Sequence, residues 1–278
     1  MANFRGKRRR ASGFTMIELL VAMAVLALLV VLLMGIVESG TKLWRQSESR
    51  VDSYREARAA LGIMSRDLGN ALAAGGTNKF LINGSPSAFA KLGNVQNLEI
   101  NTNYAGAALF LASFPRSAQF STNANENKSD VCEVGYFLAF GKTSAVSSGV
   151  GTNSIADTLN LYRYFLGSDG TYSNLVANTV FGNPSPTLTS DRTELLARNV
   201  TGFRITAYST NASGLPVAFA PTTNQPLPVL VEISITAVNQ DAAKRLGGSK
   251  SAWLDTNSLT IQQAAQTFST RVRIPGNP

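Results

Sequence analysis

A single acid, Glu18, opens the most apolar stretch of the chain, "GFTMIELLVAMAVLALLVVLLMGIV" at residues 13–37. No charge comes after it from Leu19 to Val37. Nineteen residues at ~1.5 Å rise make about 28 Å of helix, one hydrocarbon thickness. A carboxylate there is costly unless a cation meets it, so position alone makes Glu18 a candidate functional group. Its chemistry is ion pairing. The chain has no histidine and one cysteine, Cys132. That removes Ser-His-Asp hydrolysis, Cys-His nucleophiles and imidazole zinc sites. A lone cysteine also forbids an intramolecular disulfide, and its place before the strand-like "VGYFLAF" predicts a small apolar filler.

Other chemical side chains form weaker patterns. Arg66 and Asp67 could make an assembly contact, but they read equally well as a solvated pair at a helix end. "TNANENKSD" (122–130) offers Asn125, Glu126 and Asp130 as hard oxygens for calcium, without the D-x-D-x-D-G spacing of a dedicated loop. In "GSDGTY" (167–172), Asp169-Gly170 reads as a hairpin turn between two strands. "LGGSK" (246–250) lacks the glycine spacing and preceding strand of a phosphate-binding loop. Trp44 suits a membrane interface, and Trp253 stands alone. Nothing forms a catalytic constellation, so no enzyme, no cofactor and no metal centre is expected.

The charge that precedes Glu18 fixes how the apolar run is used. Five of the 25 bases (Arg5, Lys7, Arg8, Arg9 and Arg10) lie in residues 1–13, which hold none of the 17 acids. A net charge of +8 therefore becomes +3 once those residues are set aside. Residues 77–278 carry 14 bases and 11 acids, which gives little support to nucleic-acid binding. The basic cluster is a topology signal: it stays cytoplasmic, and the chain beyond Val37 faces outward. A secretory signal peptide fits poorly. The apolar run exceeds the usual h-region, and "ESGTKLWRQSES" continues straight into a helical pattern. Against a simple membrane anchor, only Glu18 speaks.

Downstream, residues 38–74 contain no proline and alternate in charge sign. Val51, Tyr54, Ala57, Leu61, Met64, Leu68 and Leu72 recur every three or four residues and predict one buried helix face. The whole helix would span roughly 60 residues and ~90 Å, bend or melt near Gly35, stay helical to about Ala73, and stop at Gly75-Gly76. Residues 75–278 are rich in Gly, Asn, Ser and Thr. Strands are expected at 98–100, 107–111, 134–140, 159–166, 200–208, 229–237 and 268–274. Polar loops are expected at 121–130, 141–158, 209–228 and 241–257, the last with a small helix at Asp241–Leu246. No helical crossovers separate the strands, so the fold class is α+β: a long helix packed on an antiparallel β-sheet domain.

The segment "GFTMIELLVA" resembles the prepilin signal of type IV pilins and type II secretion pseudopilins. There a basic leader ends in glycine, phenylalanine follows, and an acid lies four residues further on; Gly13, Phe14, Thr15 and Glu18 match this pattern. The resemblance implies cleavage after Gly13 by a prepilin peptidase, N-methylation of Phe14, and retention of the apolar helix. It divides the chain into a cleaved cytoplasmic leader (1–13), a transmembrane and filament-core helix (14–37), an amphipathic stalk (38–74) and a periplasmic β domain (75–278). Glu18 would pair with the Phe14 amine of a neighbouring subunit and set the register of docking. "SRDLGNAL" (65–72), "LLARNVTGFRITAY" (195–208), "LPVLVEISITA" (227–237) and "FSTRVRI" (268–274) are similar to J-type minor pseudopilins, although the long loops exceed that pattern. The implied function is a structural subunit in the tip complex of a periplasmic filament. Its partners would be other pseudopilins and an inner-membrane assembly platform. The alternative is a minor pilin of a type IV pilus, used for adhesion, motility or DNA uptake.

Overall fold

The computed structural model describes residues 15–72, 80–82, 98–99, 106–115, 129–141, 158–176, 193–211, 213–219, 228–255 and 257–274. Contacts divide the chain into residues 1–48 and residues 49–278. The architecture is α+β, with a long N-terminal helix and antiparallel sheets.

Helix α1 (Met16–Gly69) is continuous over 54 residues. In the first unit it is apolar on every side. Met16–Trp44 is long and apolar enough to cross a membrane, and all its side chains are exposed. The helix passes unbroken through Gly35, whose carbonyl accepts from Ser39 Oγ at 2.8 Å, so the expected melting there is absent. A glycine costs about 1 kcal/mol in a helix interior, and the flanking leucines, methionine and isoleucine outweigh it.

Within the second unit one face of α1 turns inward. Ala57, Ala60, Leu61, Met64 and Leu68 are buried, while Arg55, Arg58 and Arg66 stay exposed. The expected inward face begins later than predicted: Val51 is exposed, and Tyr54 is half-buried against Phe268, ring centroids 5.2 Å apart. The helix also ends sooner, at Gly69 rather than near Ala73. Ala71 bridges to Ala112, the Leu72 N–H donates to Leu111 O at 2.9 Å, and the Ser113 N–H donates to Asn70 O at 2.9 Å. Strand pairing captures these backbone groups before another helical turn can form. Gly75-Gly76 lies outside the described residues.

The expected single sheet is two sheets. The first contains β1 (Phe80–Ile82), β3 (Ala107–Ser113), β4 (Val131–Gly141), β5 (Thr158–Leu166) and β6 (Thr193–Ala197) in that order, with β2 (Leu98–Glu99) pairing β4. The second has the order β10–β9–β7–β8, from β7 (Val200–Thr210), β8 (Pro216–Ala218), β9 (Leu230–Val238) and β10 (Ala265–Arg273). Every pairing is antiparallel. Burial explains the division. β5 is buried at all nine positions, as a strand covered on both faces must be; β9 alternates and leaves one face to solvent. Between the sheets the chain turns at Arg198-Asn199, where Asn199 adopts φ 57°, a conformation asparagine tolerates well. β1, β6 and β8 were not expected from sequence.

One hydrophobic core joins the inner face of α1 to both sheets. Three short helices complete it: α3 (Gln240–Leu246), α4 (Lys250–Leu254) and α5 (Leu259–Ala264). α3 is the small helix expected in the last loop, capped by Asn239 Oδ1, which accepts from the Ala242 N–H at 2.9 Å. Gly247, at φ 61°, ends it within the "LGGSK" stretch. Trp253 is a buried core residue whose Nε1 donates to Gly247 O at 2.9 Å. Asp169-Gly170 is no hairpin turn; it lies in the first turn of α2 (Ser168–Val176). There Thr171 Oγ1 accepts from the buried Glu133 N–H at 3.0 Å, and Gly170 leaves room for Leu166, which a Cβ would strike.

Candidate functional site

The start of α1 is organised by Thr15 and Glu18. Glu18 Oε2 accepts from the Thr15 N–H at 3.1 Å and from Thr15 Oγ1 at 3.0 Å, while the Glu18 N–H donates to Thr15 Oγ1 at 3.3 Å. This is a reciprocal capping box: each side chain satisfies a backbone N–H that the first helical turn leaves without a partner. The consequence is positional. Glu18 is exposed, yet its carboxylate is drawn back over the helix N-terminus. Gly13 and Phe14, the expected processing and methylation residues, lie outside the described residues. Charge alone singles out Glu18 in the sequence and passes over Thr15, its holder. The signal for Thr15 is nevertheless there, in the T-x-x-E spacing of Thr15-Met16-Ile17-Glu18.

The other end of α1 carries the one cluster of buried ionic groups among the described residues. Asp67 has no exposure, and Oδ2 accepts from Arg163 Nε of β5 at 2.7 Å and from the Tyr136 hydroxyl of β4. Arg163 Nη1 reaches Glu194 Oε2 of β6 at 3.4 Å, and its guanidinium lies 4.9 Å from the Phe165 ring centroid. A solvated Arg66–Asp67 pair is therefore not what forms. Arg66 is 65% exposed and stands 3.6 Å from Asp67 Oδ1, whereas the strong partner of Asp67 is Arg163. Burial, and then the neighbouring Asp67 charge, hold the Tyr136 hydroxyl well above its ordinary range, so it remains a donor. The sequence signal for Arg163 was a guanidinium inside the apolar run "TLNLYRYFL", which demands a carboxylate.

A second tie joins α1 to the junction of the sheets. Glu56 Oε2 accepts from the Arg198 N–H at 3.0 Å, while the Asn199 N–H donates to Asn160 Oδ1 at 3.2 Å. Cys132 is a buried filler, as expected, with its thiol pushed up to about 12 by burial and by Asp130. Asp130 itself is exposed and accepts from Ser113 Oγ at 3.1 Å; Asn125 and Glu126 lie outside the described residues. Among the described residues no three His, Cys, Asp or Glu side chains gather as a metal would require. Trp44 is exposed near the end of the apolar stretch.

Residues 8–34 match the family described as "Prokaryotic N-terminal methylation motif". The match spans Arg8, Arg9 and Arg10 of the basic cluster, Gly13, Phe14, the capping box and most of the apolar run, and it supports a likeness to type IV pilins and pseudopilins. No curated protein and no solved structure matches the chain significantly.

Proposed function

We propose that the chain is a minor pseudopilin, a non-enzymatic subunit of a periplasmic type II secretion-like filament, acting in its initiating or tip complex. The observation that carries the reading is the methylation motif at residues 8–34 placed on an exposed apolar helix. A prepilin peptidase cuts after Gly13 and methylates Phe14, leaving an amine at the helix start. In the bilayer Glu18 rests on Thr15; on docking, the amine of a neighbouring Phe14 meets this carboxylate and fixes the axial register. The apolar helix serves first as an inner-membrane anchor with its basic end cytoplasmic, then as filament core. Motive force comes from a separate ATPase. A J-type subunit is favoured by the resemblance of residues 65–72, 195–208, 227–237 and 268–274.

Intact mass of membrane-extracted protein tests processing directly. The expected species begins at methylated Phe14, and a chain retaining unmodified Met1 would sink the reading. Glu18→Ala should still insert in the membrane but fail to enter filaments. The same motif also serves minor pilins of type IV pili. Neighbouring genes separate the two: a secretin and further prepilin-like frames favour secretion, whereas a retraction ATPase favours the pilus.

A further inference from the structure

Among the described strands the edges are β1, β2 and β6 in the first sheet and β8 and β10 in the second, and in isolation an edge is a template for pairing with another chain. Four of the five are blunted. β1 has three residues, β2 has two, β8 has three including Pro216, and the β5–β6 register shifts between Leu161 and Tyr162. β10 differs. It pairs with β9 in unbroken register over all nine residues, from Ala265↔Val238 to Arg273↔Leu230, and contains no proline. At ~3.4 Å per residue it offers an edge of roughly 30 Å. The Ile274 N–H donates to Val229 O at 3.0 Å, which fixes the alternation: the backbone groups of Thr267, Ser269, Arg271 and Arg273 point away from β9. No described strand meets them.

We propose that the open edge of β10 is a docking surface for an extended segment of a partner protein, added as a further antiparallel or parallel strand. Its side chains state the chemistry of that segment. On the inner face Phe268 and Val272 are only partly buried, so an added strand gains by presenting apolar residues beside them. The outer face carries exposed Arg271 and Arg273. Arg271 meets Glu232 at 3.4 Å, and Arg273 has no acidic partner among the described residues. The fitting occupant alternates apolar with acidic residues; backbone bonds give affinity and the alternate side chains give selectivity. A second copy of this chain fits less well, because pairing β10 with itself would crowd four guanidinium groups onto one face. The surface belongs to residues 49–278 and exists whether or not the N-terminal helix is processed as proposed.

The test uses the full chain in detergent micelles and a labelled nine-residue peptide alternating valine with glutamate. Saturable binding by fluorescence anisotropy is expected, with new amide protection at Thr267, Ser269 and Arg271. A valine–lysine peptide should bind at least about tenfold more weakly. Ser269→Pro removes an outward N–H without touching the β9 ladder and should abolish binding at unchanged thermal stability. Arg273→Glu should weaken the glutamate peptide severalfold and strengthen the lysine peptide. Equal affinity for both peptides, binding undiminished in Ser269→Pro, or no protection at 265–273 would each overturn the proposal. So would a concentration-dependent dimer that protects the same amides, because it would seat a second copy on the edge.

Discussion

Removing the Asp67 carboxylate is the sharpest test of how α1 is held to the sheets. Asp67 is wholly buried, and Arg163 and Tyr136 both depend on it. A surface pair contributes up to about 1 kcal/mol, whereas breaking a buried pair from one side costs about 3–5 kcal/mol, because a charge is stranded. In Asp67→Ala the stranded group is the Arg163 guanidinium, which keeps half-exposed Glu194 at 3.4 Å and the Phe165 ring at 4.9 Å. Those partners place the expected loss near the lower end, about 3 kcal/mol. Arg163→Met strands the carboxylate instead. It leaves Arg66 at 3.6 Å, an exposed and weakly held cation, so the loss should approach about 5 kcal/mol. Urea unfolding of the full chain in detergent, followed by near-ultraviolet circular dichroism, reads both. A loss below about 1 kcal/mol in either variant would refute the burial reasoning, since that is how a solvated pair behaves.

Alkali should weaken the fold. Tyr136 and Cys132 are neutral in the native state with raised pKa values, so their stabilisation is complete below their ordinary values of 10.0 and 9.0. It is lost as pH rises through the folded values, and unfolding midpoints should fall steadily above pH 9. The same burial should keep Cys132 unalkylated by iodoacetamide at about pH 8 until denaturant is added. Gly106→Ala should cost at least about 2 kcal/mol, read by thermal melting: φ is +118°, and a Cβ there would collide with the Phe203 carbonyl. Thr15→Val should lower filament incorporation, with Thr15→Ser retaining it, because only the serine rebuilds the box with Glu18.

Local pattern is what made parts of the fold legible in the sequence. The apolar run, its acid and the α+β class follow from hydropathy and period, and seven strands lie where β-like runs, several of them alternating, placed them. β1, β6 and β8 escaped because they are short and their pairing partners are distant; Phe80–Ile82 is a strand only beside Ala108–Phe110. The second sheet escaped for a similar reason, since the break depends on two residues, Arg198 and Asn199, and on tertiary ties to Glu56 and Asn160. Asp169-Gly170 misled because Asp-Gly is also acceptable in a first helical turn, where the acid favours the dipole. Burial decided Asp67: sequence shows a charged pair, and only the sheet beneath shows which partner it takes.

The placement of that pair bears on why it is ionic at all. The inner face of α1 includes Ala60, Met64 and Leu68, spaced by four, so a slide of one turn would still set apolar groups against the core. Hydrophobic burial is non-directional and penalises such a slip weakly. Asp67 penalises it heavily, because one turn is ~5.4 Å and Arg163 Nε lies 2.7 Å away; displaced, both charges would be buried without partners. Replacing both, as Asp67→Leu with Arg163→Met, should therefore leave stability unchanged or raised while broadening the side-chain resonances of residues 57–68. Sharp resonances with native contacts in that double variant would assign register to packing alone, and the buried pair would then have no specifying role.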